Sequence, residues 1–309
     1  MRELIFLKPV LKERIWGGSR LSEFGYELPS DSIGECWGIS AHPKGDCEIR
    51  GGSFEGLTLS SLWENHRELF GGSNSKDFPL LIKILCAKTD LSIQVHPDDA
   101  YANVHENGSI GKNECWYILD CPENATLILG NKATDRENLI EMVDKGEWDK
   151  ICNEISVKAG DFVQLNSGTL HAIKAGFVIL ETQQASDLTY RIYDYDRESN
   201  GVKRELHHDK GLAVINVPDR YDDSNIIHTT DEPGVKQLLV DNRFYKVSKL
   251  CVKGEMDLAH NENFMIGSVV EGDGIVAGRY VKKGTHFIIP YKCEKCIVTG
   301  EMTLILSSL

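Results

Sequence analysis

Ser92-Ile93-Gln94-Val95-His96-Pro97-Asp98-Asp99 is the stretch whose alternation sets the architecture of this chain. Successive side chains of a strand point to opposite faces, so Ser92, Gln94 and His96 share one face, and Ile93 and Val95 the other. A polar stripe on one face of an apolar strand implies a lined cavity. Two further segments answer it: Lys112-Asn113-Glu114-Cys115-Trp116 and Asn166-Ser167-Gly168-Thr169-Leu170-His171. His96, Glu114 and His171 then supply two imidazoles and a carboxylate, the ligand set of a catalytic zinc that keeps one coordination position open. Gln94 could add a neutral oxygen. Together the three segments read as one metal site on a β-barrel.

The 309 residues are 41% hydrophobic and 26% charged, the make-up of an ordinary soluble globular protein with room for two domains. A formal net charge of −13 argues against nucleic acid as a partner, because that binding needs a basic face to displace counterions. An anionic substrate would need local Lys or Arg. The apolar run within Met1–Lys8 is too short for a signal-peptide core, and no segment approaches the roughly 20 apolar residues of a membrane span. A cytoplasmic protein without membrane partners is expected, as a monomer or homodimer. The nine cysteines sit singly among β-formers, as reduced thiols of such a protein do. Cys293-Glu294-Lys295-Cys296 resembles half of a zinc knuckle or a redox dithiol, but no second pair accompanies it and Ile297-Val298 continue as strand.

Gly and β-branched residues punctuate the chain at short intervals, so the fold is mainly β. Helices are expected over Thr58–Leu69, Asp98–Glu106, Thr134–Cys152 and Glu205–Val214. The third is a short helical insertion, near 134–152, in the N-terminal part. Between Asp222 and Val235 the composition shifts to that of a linker, which divides a domain over 1–228 from one over 229–309. Beyond it strand and turn alternate, with Gly272-Asp273-Gly274 read as a hairpin turn. Val157-Lys158-Ala159-Gly160-Asp161-Phe162 is echoed by Val281-Lys282-Lys283-Gly284-Thr285-His286-Phe287, which points to two related barrels. After Gly160 come Asn166, Gly168 and His171; after Gly284 the matching places hold Pro290, Lys292 and Lys295, so the second barrel is degenerate and has no metal site.

Gly160, Asn166, Gly168 and His171, separated by five, one and two residues, are similar to the second cupin motif, in which proline usually stands at the place of Asn166. With Gln94–Asp99, Glu114-Cys115-Trp116-Tyr117 and Ile15-Trp16-Gly17-Gly18, nearly the whole chain resembles the short bacterial form of type I mannose-6-phosphate isomerase, a bicupin of two jelly-roll β-barrels. That resemblance implies one zinc ion per chain on His96, Glu114 and His171, with Gln94 an added ligand in the longer eukaryotic relatives. It puts Arg191, in Asp187-Leu188-Thr189-Tyr190-Arg191, at the place of the family's catalytic arginine, Glu181 and Asp187 among its acidic pocket residues, and Lys112 at the lysine before the glutamate ligand. Longer relatives carry a large helical insertion, for which only about twenty residues near Thr134–Cys152 could serve here.

The implied reaction interconverts mannose 6-phosphate and fructose 6-phosphate by moving a proton between C1 and C2 through a cis-enediol. The metal would steady the enediolate as a Lewis acid, and a positioned base would add roughly 10²–10⁴-fold. Asp187, Glu181, a metal-bound hydroxide and Lys112 are the candidate bases, Lys112 only if its pKa is lowered. Arg191 stays protonated and is assigned to the enediolate or the phosphate; the competing reading is a surface ion-pair network with Asp194, Asp196, Arg197 and Glu198. Lys83 interrupts the apolar strand Leu80–Leu85 and is taken as a pocket-wall residue, joined as a substrate contact by Ser92, Gln94 and Trp16. Asp98 and Asp99 are read as helix caps, His42, His105, His228, His260 and His286 as hydrogen-bonded core, and His207-His208 as solvated surface. Because the cupin barrel hosts many activities, two rivals stay open. One is another metal-dependent enzyme of the fold, an iron dioxygenase or a sugar epimerase; the other is a non-catalytic sugar-phosphate-binding bicupin.

Overall fold

A computed structural model of the chain describes residues 3–309 apart from Asn200, Ala259 and Glu294. The Cys293–Cys296 segment therefore lies partly outside the described residues, as do the first two residues of the N-terminal run. Backbone contacts divide the chain into two units. One comprises Glu13–Gly18 and Leu85–His228; the other comprises the stretch ending at Lys12, Ser19–Ile84 and Thr229–Leu309. The chain thus passes between units at four places, where the sequence reading divides it at one, after residue 228.

In the first unit one antiparallel sheet runs in the order Cys152–Ser156, Thr126–Asn131, His171–Ala172, Ile93–Val95, Tyr190–Tyr193. A second set runs Ile226–His228, Asp161–Leu165, Glu114–Asp120, Val178–Gln184. Leu127 and Leu129 of the first sheet meet Trp116, Ile118, Val163 and Ile179 of the second in an apolar core. The period of two sends the intervening Ile128, with Ile93 and Val95, to the outer face. There they pack under Leu139, Val143 and Ile151, so the helical insertion is a cover for that face. This insertion forms two helices, Arg136–Asp144 and Trp148–Ile151, the first capped by Asp135, which accepts from Asn138 N at 2.8 Å. The helix expected from Glu205 begins only at His208, because 205–207 is held to a neighbouring strand. Ile226–His228, inside the expected linker, is a strand paired with Asp161–Val163.

In the second unit an antiparallel sheet runs Lys236–Asp241, Lys246–Asp257, Ile297–Ser308, Phe264–Val276, His286–Pro290, Ile5–Lys8, Glu48–Ile49. The hairpin expected at Gly272-Asp273-Gly274 lies elsewhere. Those residues are inside the long strand, and the turn is at Ala277-Gly278, both with positive φ. The glycines serve close packing instead, since a Cβ at Gly272 or Gly274 would fall 2.1 or 2.2 Å from carbonyl oxygens of the adjoining strand.

The sequence echo is a repeated turn. Gly160 and Gly284 have φ of 88° and 89°. Asp161 N donates to Lys158 O at 3.1 Å and Thr285 N to Lys282 O at 2.9 Å. The side chains of Asp161 and Thr285 each accept from the lysine N–H three residues earlier. Downstream the two barrels part: His286 is buried, hydrogen-bonded to Ser268 Oγ at 2.9 Å and Tyr26 Oη at 3.1 Å. That is the core role expected of it, whereas His105 and His228 are exposed, the first stacked on Tyr101 and the second on the Asp161 carboxylate. All nine cysteines are free and seven are buried, in keeping with reduced structural thiols.

Gly284 has two reasons to be glycine: its left-handed backbone, and Phe24 O only 2.5 Å from where a Cβ would lie. Gly284→Ala is therefore expected to cost more than the ~1–2 kcal/mol of the conformation alone. A shift of the urea midpoint at constant m value would measure it; a loss below ~0.5 kcal/mol would contradict the account.

Candidate metal centre and its surrounding charges

Cross-strand register assembles the centre. His171 lies opposite Gln94, and Gln94 opposite Arg191, so these three side chains emerge in a row on one face of the sheet. Glu114 opens the strand Glu114–Asp120 in the other set and His96 follows directly on Ile93–Val95. His96, Glu114 and His171 converge, with ligand atoms all within 4.8 Å of one another and each residue no more than 2% exposed.

The hydrogen bonds fix what each imidazole presents. His96 Nδ1 lies 2.7 Å from Leu188 O and His171 Nδ1 2.9 Å from Thr169 O. A carbonyl only accepts, so both Nδ1 atoms carry the proton and both Nε2 lone pairs face inward. Each Nε2 is 3.4 Å from an oxygen of Glu114, and neither Glu114 oxygen has an aligned hydrogen bond although both are buried. Three lone-pair donors aimed at one point suit a divalent cation, and the nitrogen–nitrogen–oxygen set is one that zinc accepts. Gln94 places Nε2 3.3 Å from His171 Nε2 while its Oε1 accepts from Ser92 Oγ at 3.2 Å. To ligate a metal by oxygen it must turn its amide over, which Ser92 allows because a hydroxyl accepts as well as donates.

Lys112 is the resident cation. Its Nζ stands 2.5 Å from Glu114 Oε2, 3.3 Å from His96 Nε2 and 3.8 Å from Glu181 Oε1. Burial alone would push its pKa down, but Glu114, Glu181 and Asp187 together hold it above the ordinary lysine value. Held as an ammonium, Lys112 can donate hydrogen bonds to the groups around it. Burial would raise the Glu114 carboxyl, yet Lys112 and the two histidines hold it well below its usual range. Burial, reinforced by Lys112, brings His96 down to about 3 and lowers His171, so both rings stay neutral ligands.

Around this centre, Glu181 is buried and accepts from Trp116 Nε1 at 3.1 Å, while the Trp116 and His171 rings meet edge to face with centroids 5.4 Å apart. Asp187 is half-buried and close enough to act on Lys112. Arg191 donates from Nη1 to Glu205 O at 2.8 Å, and its Nε is buried without a partner. The competing ion-pair network exists but is built on Asp194 with Arg197 and Arg204. Trp16 is 4% exposed within the apolar core beside Ala87 and Leu91. Lys83 belongs to the other unit, 4% exposed with its amine 5.2 Å over the Trp37 ring.

Sequence patterning misses the residues that support the ligands. Asn113 reaches Ser167 N with its carbonyl and Gln184 Oε1 with its amide, and Gln184 in turn donates to Asp99 Oδ1 at 3.0 Å. Asp98 caps the helix Asp99–His105 as expected, but Asp99 also accepts from Gly111 N. His208 is exposed, as read, and bonds to Ile192 O, whereas His207 is half-buried and bonds to Arg191 N. An isolated Asn, Gln or His carries no periodic signature that would reveal such a partner.

Two family descriptions match the chain: "Phosphomannose isomerase type I, catalytic domain" over residues 4–123, and "Mannose-6-phosphate isomerase, cupin domain" over 235–309. Mannose-6-phosphate isomerase ManA of Bacillus subtilis is 46% identical over 312 residues, 99% of each chain. Mannose-6-phosphate isomerase of Streptococcus mutans is 42% identical, covering 99% of this chain and 98% of that one. The crystal structure of mannose 6-phosphate isomerase from Bacillus subtilis superposes with a TM-score of 0.92 at 44% identity, each chain covered in full.

Glu114→Gln keeps the shape and removes the charge that gathers the ligands. It is expected to weaken divalent-metal binding, in a chelator-competition titration, by at least the roughly 10–100-fold that losing an outer-shell partner costs; unchanged affinity would show that the carboxylate is no ligand.

Proposed function

The chain belongs to the type I phosphomannose isomerase family, and from that membership we propose that it interconverts mannose 6-phosphate and fructose 6-phosphate through a cis-enediol, with one zinc ion held by His96, Glu114 and His171. The observation that carries this reading is the convergence of two inward Nε2 lone pairs on one buried carboxylate, itself ion-paired with Lys112. When bound, zinc supplies Lewis acidity toward the sugar's carbonyl and hydroxyl oxygens, worth several kcal/mol of charge stabilisation.

The protein's own groups divide the remaining tasks. Removing the proton next to the carbonyl needs a base, and we assign Asp187. Glu181 is engaged by the Trp116 indole and faces Lys112, and Lys112 is an ammonium. Lys112 donates toward the oxygen that gains charge as the enediol forms. Arg191, its Nη1 fastened to Glu205 O, offers its unpartnered Nε to an oxyanion of the sugar phosphate. Ser92 and Gln94 extend the same polar face and are proposed substrate contacts. Nine free thiols suit a reducing compartment, so the protein is assigned to the cytoplasm.

The test is turnover of mannose 6-phosphate with metal analysis of the same sample. Activity should vanish on chelation and return with zinc, and Asp187→Asn should lower kcat by roughly 10²–10⁴-fold while zinc content stays at one ion per chain. Undiminished turnover by the chelated protein, or none by the zinc-loaded one, would overturn the reading.

A further inference from the structure

Arg191 is held by a segment that sequence patterning leaves on the surface. His207 N donates to Arg191 O at 2.7 Å, Arg191 N donates to His207 Nδ1 at 3.1 Å, and Arg191 Nη1 donates to Glu205 O at 2.8 Å. Both main-chain polar groups of Arg191 and one end of its guanidinium are therefore bound by the three residues Glu205-Leu206-His207. His208 Nε2, 2.8 Å from Ile192 O, extends the attachment by one residue.

The clamp is braced from behind. Helix His208–Val214 starts immediately after it, with Gly211 N donating to His207 O at 2.8 Å. Gly211 lies so close to the strand that a Cβ would fall 2.1 Å from Ile192 Cδ1. Lys210 of the same helix and Tyr190 of the strand meet on Glu106 Oε1, each at 2.7 Å.

We propose that His207 is a positioning residue for the reaction: as a neutral imidazole accepting from the Arg191 main-chain N–H, it sets the strand so that Arg191 reaches the oxyanion of the substrate. This rests on the assignment of Arg191 to that oxyanion. An imidazolium could not serve, because a protonated Nδ1 would face the Arg191 N–H donor to donor. The charged groups around the ring are Arg191, Glu205, Lys210 and Glu106, and partial burial together with Arg191 lowers the pKa of His207 from its ordinary value. The acceptor form is thus the resting one.

Asparagine tests the idea because its Oδ1 can take the place of Nδ1 as an acceptor. His207→Ala is expected to lower kcat by about 10–100-fold, the effect of a misplaced group, with KM, zinc content and melting temperature changed far less. His207→Asn should recover kcat to within about fivefold of the parent. Arg191→Ala with His207→Ala should be no slower than Arg191→Ala alone, since a residue acting through Arg191 has nothing left to position. Equal impairment of the Ala and Asn variants, or additive losses in the double variant, would overturn the proposal. A slow Arg191→Ala beside a His207→Ala of parental kcat would remove the clamp alone. Parental turnover by Arg191→Ala would instead remove the assignment of Arg191.

Discussion

Two imidazole lone pairs face the oxygens of one buried carboxylate at 3.4 Å, an arrangement whose mutual repulsion a cation relieves. Every nearby contact works to keep that arrangement in place. Leu188 O and Thr169 O retain the Nδ1 protons on the far sides of the rings, so neither histidine can relieve the crowding by turning its N–H inward. The Lys112 ammonium offsets part of the charge on Glu114, and Glu181 with the Trp116 indole steadies Lys112 in turn. Such an arrangement suits a divalent ion, and on the proposed function it is the preorganisation that a catalytic centre requires.

The barrel can hold this polarity because each strand does two jobs. Ile93 and Val95 lie against the helical insertion while Gln94 between them meets His171 and Arg191 on the opposite face. Leu127, Leu129 and Trp116 fill the apolar part of the same interior. A one-residue slip of Ile93–Val95 would exchange the two sets, burying amide and imidazole under the helices and turning aliphatics toward the Glu114 carboxylate. Ligand geometry and apolar packing are thus one constraint.

That coupling explains why so much of the centre is legible in the chain. The alternation of Ser92 to His96, the carboxylate at the head of an apolar strand and the glycine-punctuated approach to His171 are all periodic or local signals. The Gly160 and Gly284 turns were visible for the same reason, because a left-handed residue at a fixed place in a tight turn selects glycine. The hairpin assigned to Gly272–Gly274 shows the limit of that rule: glycine also appears where a neighbouring strand comes too close for a Cβ. The sign of the Lys112 shift depends on Glu181 and Asp187, far along the chain, as well as on its neighbour Glu114, and no single window of sequence contains all three. The bonds of His207 and Asn113 are not legible in the chain likewise, because their partners lie in other segments.

Zinc K-edge X-ray absorption on the metal-loaded protein tests the central claim most directly. The account requires a first shell of nitrogen and oxygen at about 2.0–2.1 Å with the outer-shell pattern of two imidazoles, reduced to one imidazole in His171→Ala. Sulfur scattering at about 2.3 Å, or a spectrum that His171→Ala leaves unchanged, would contradict it.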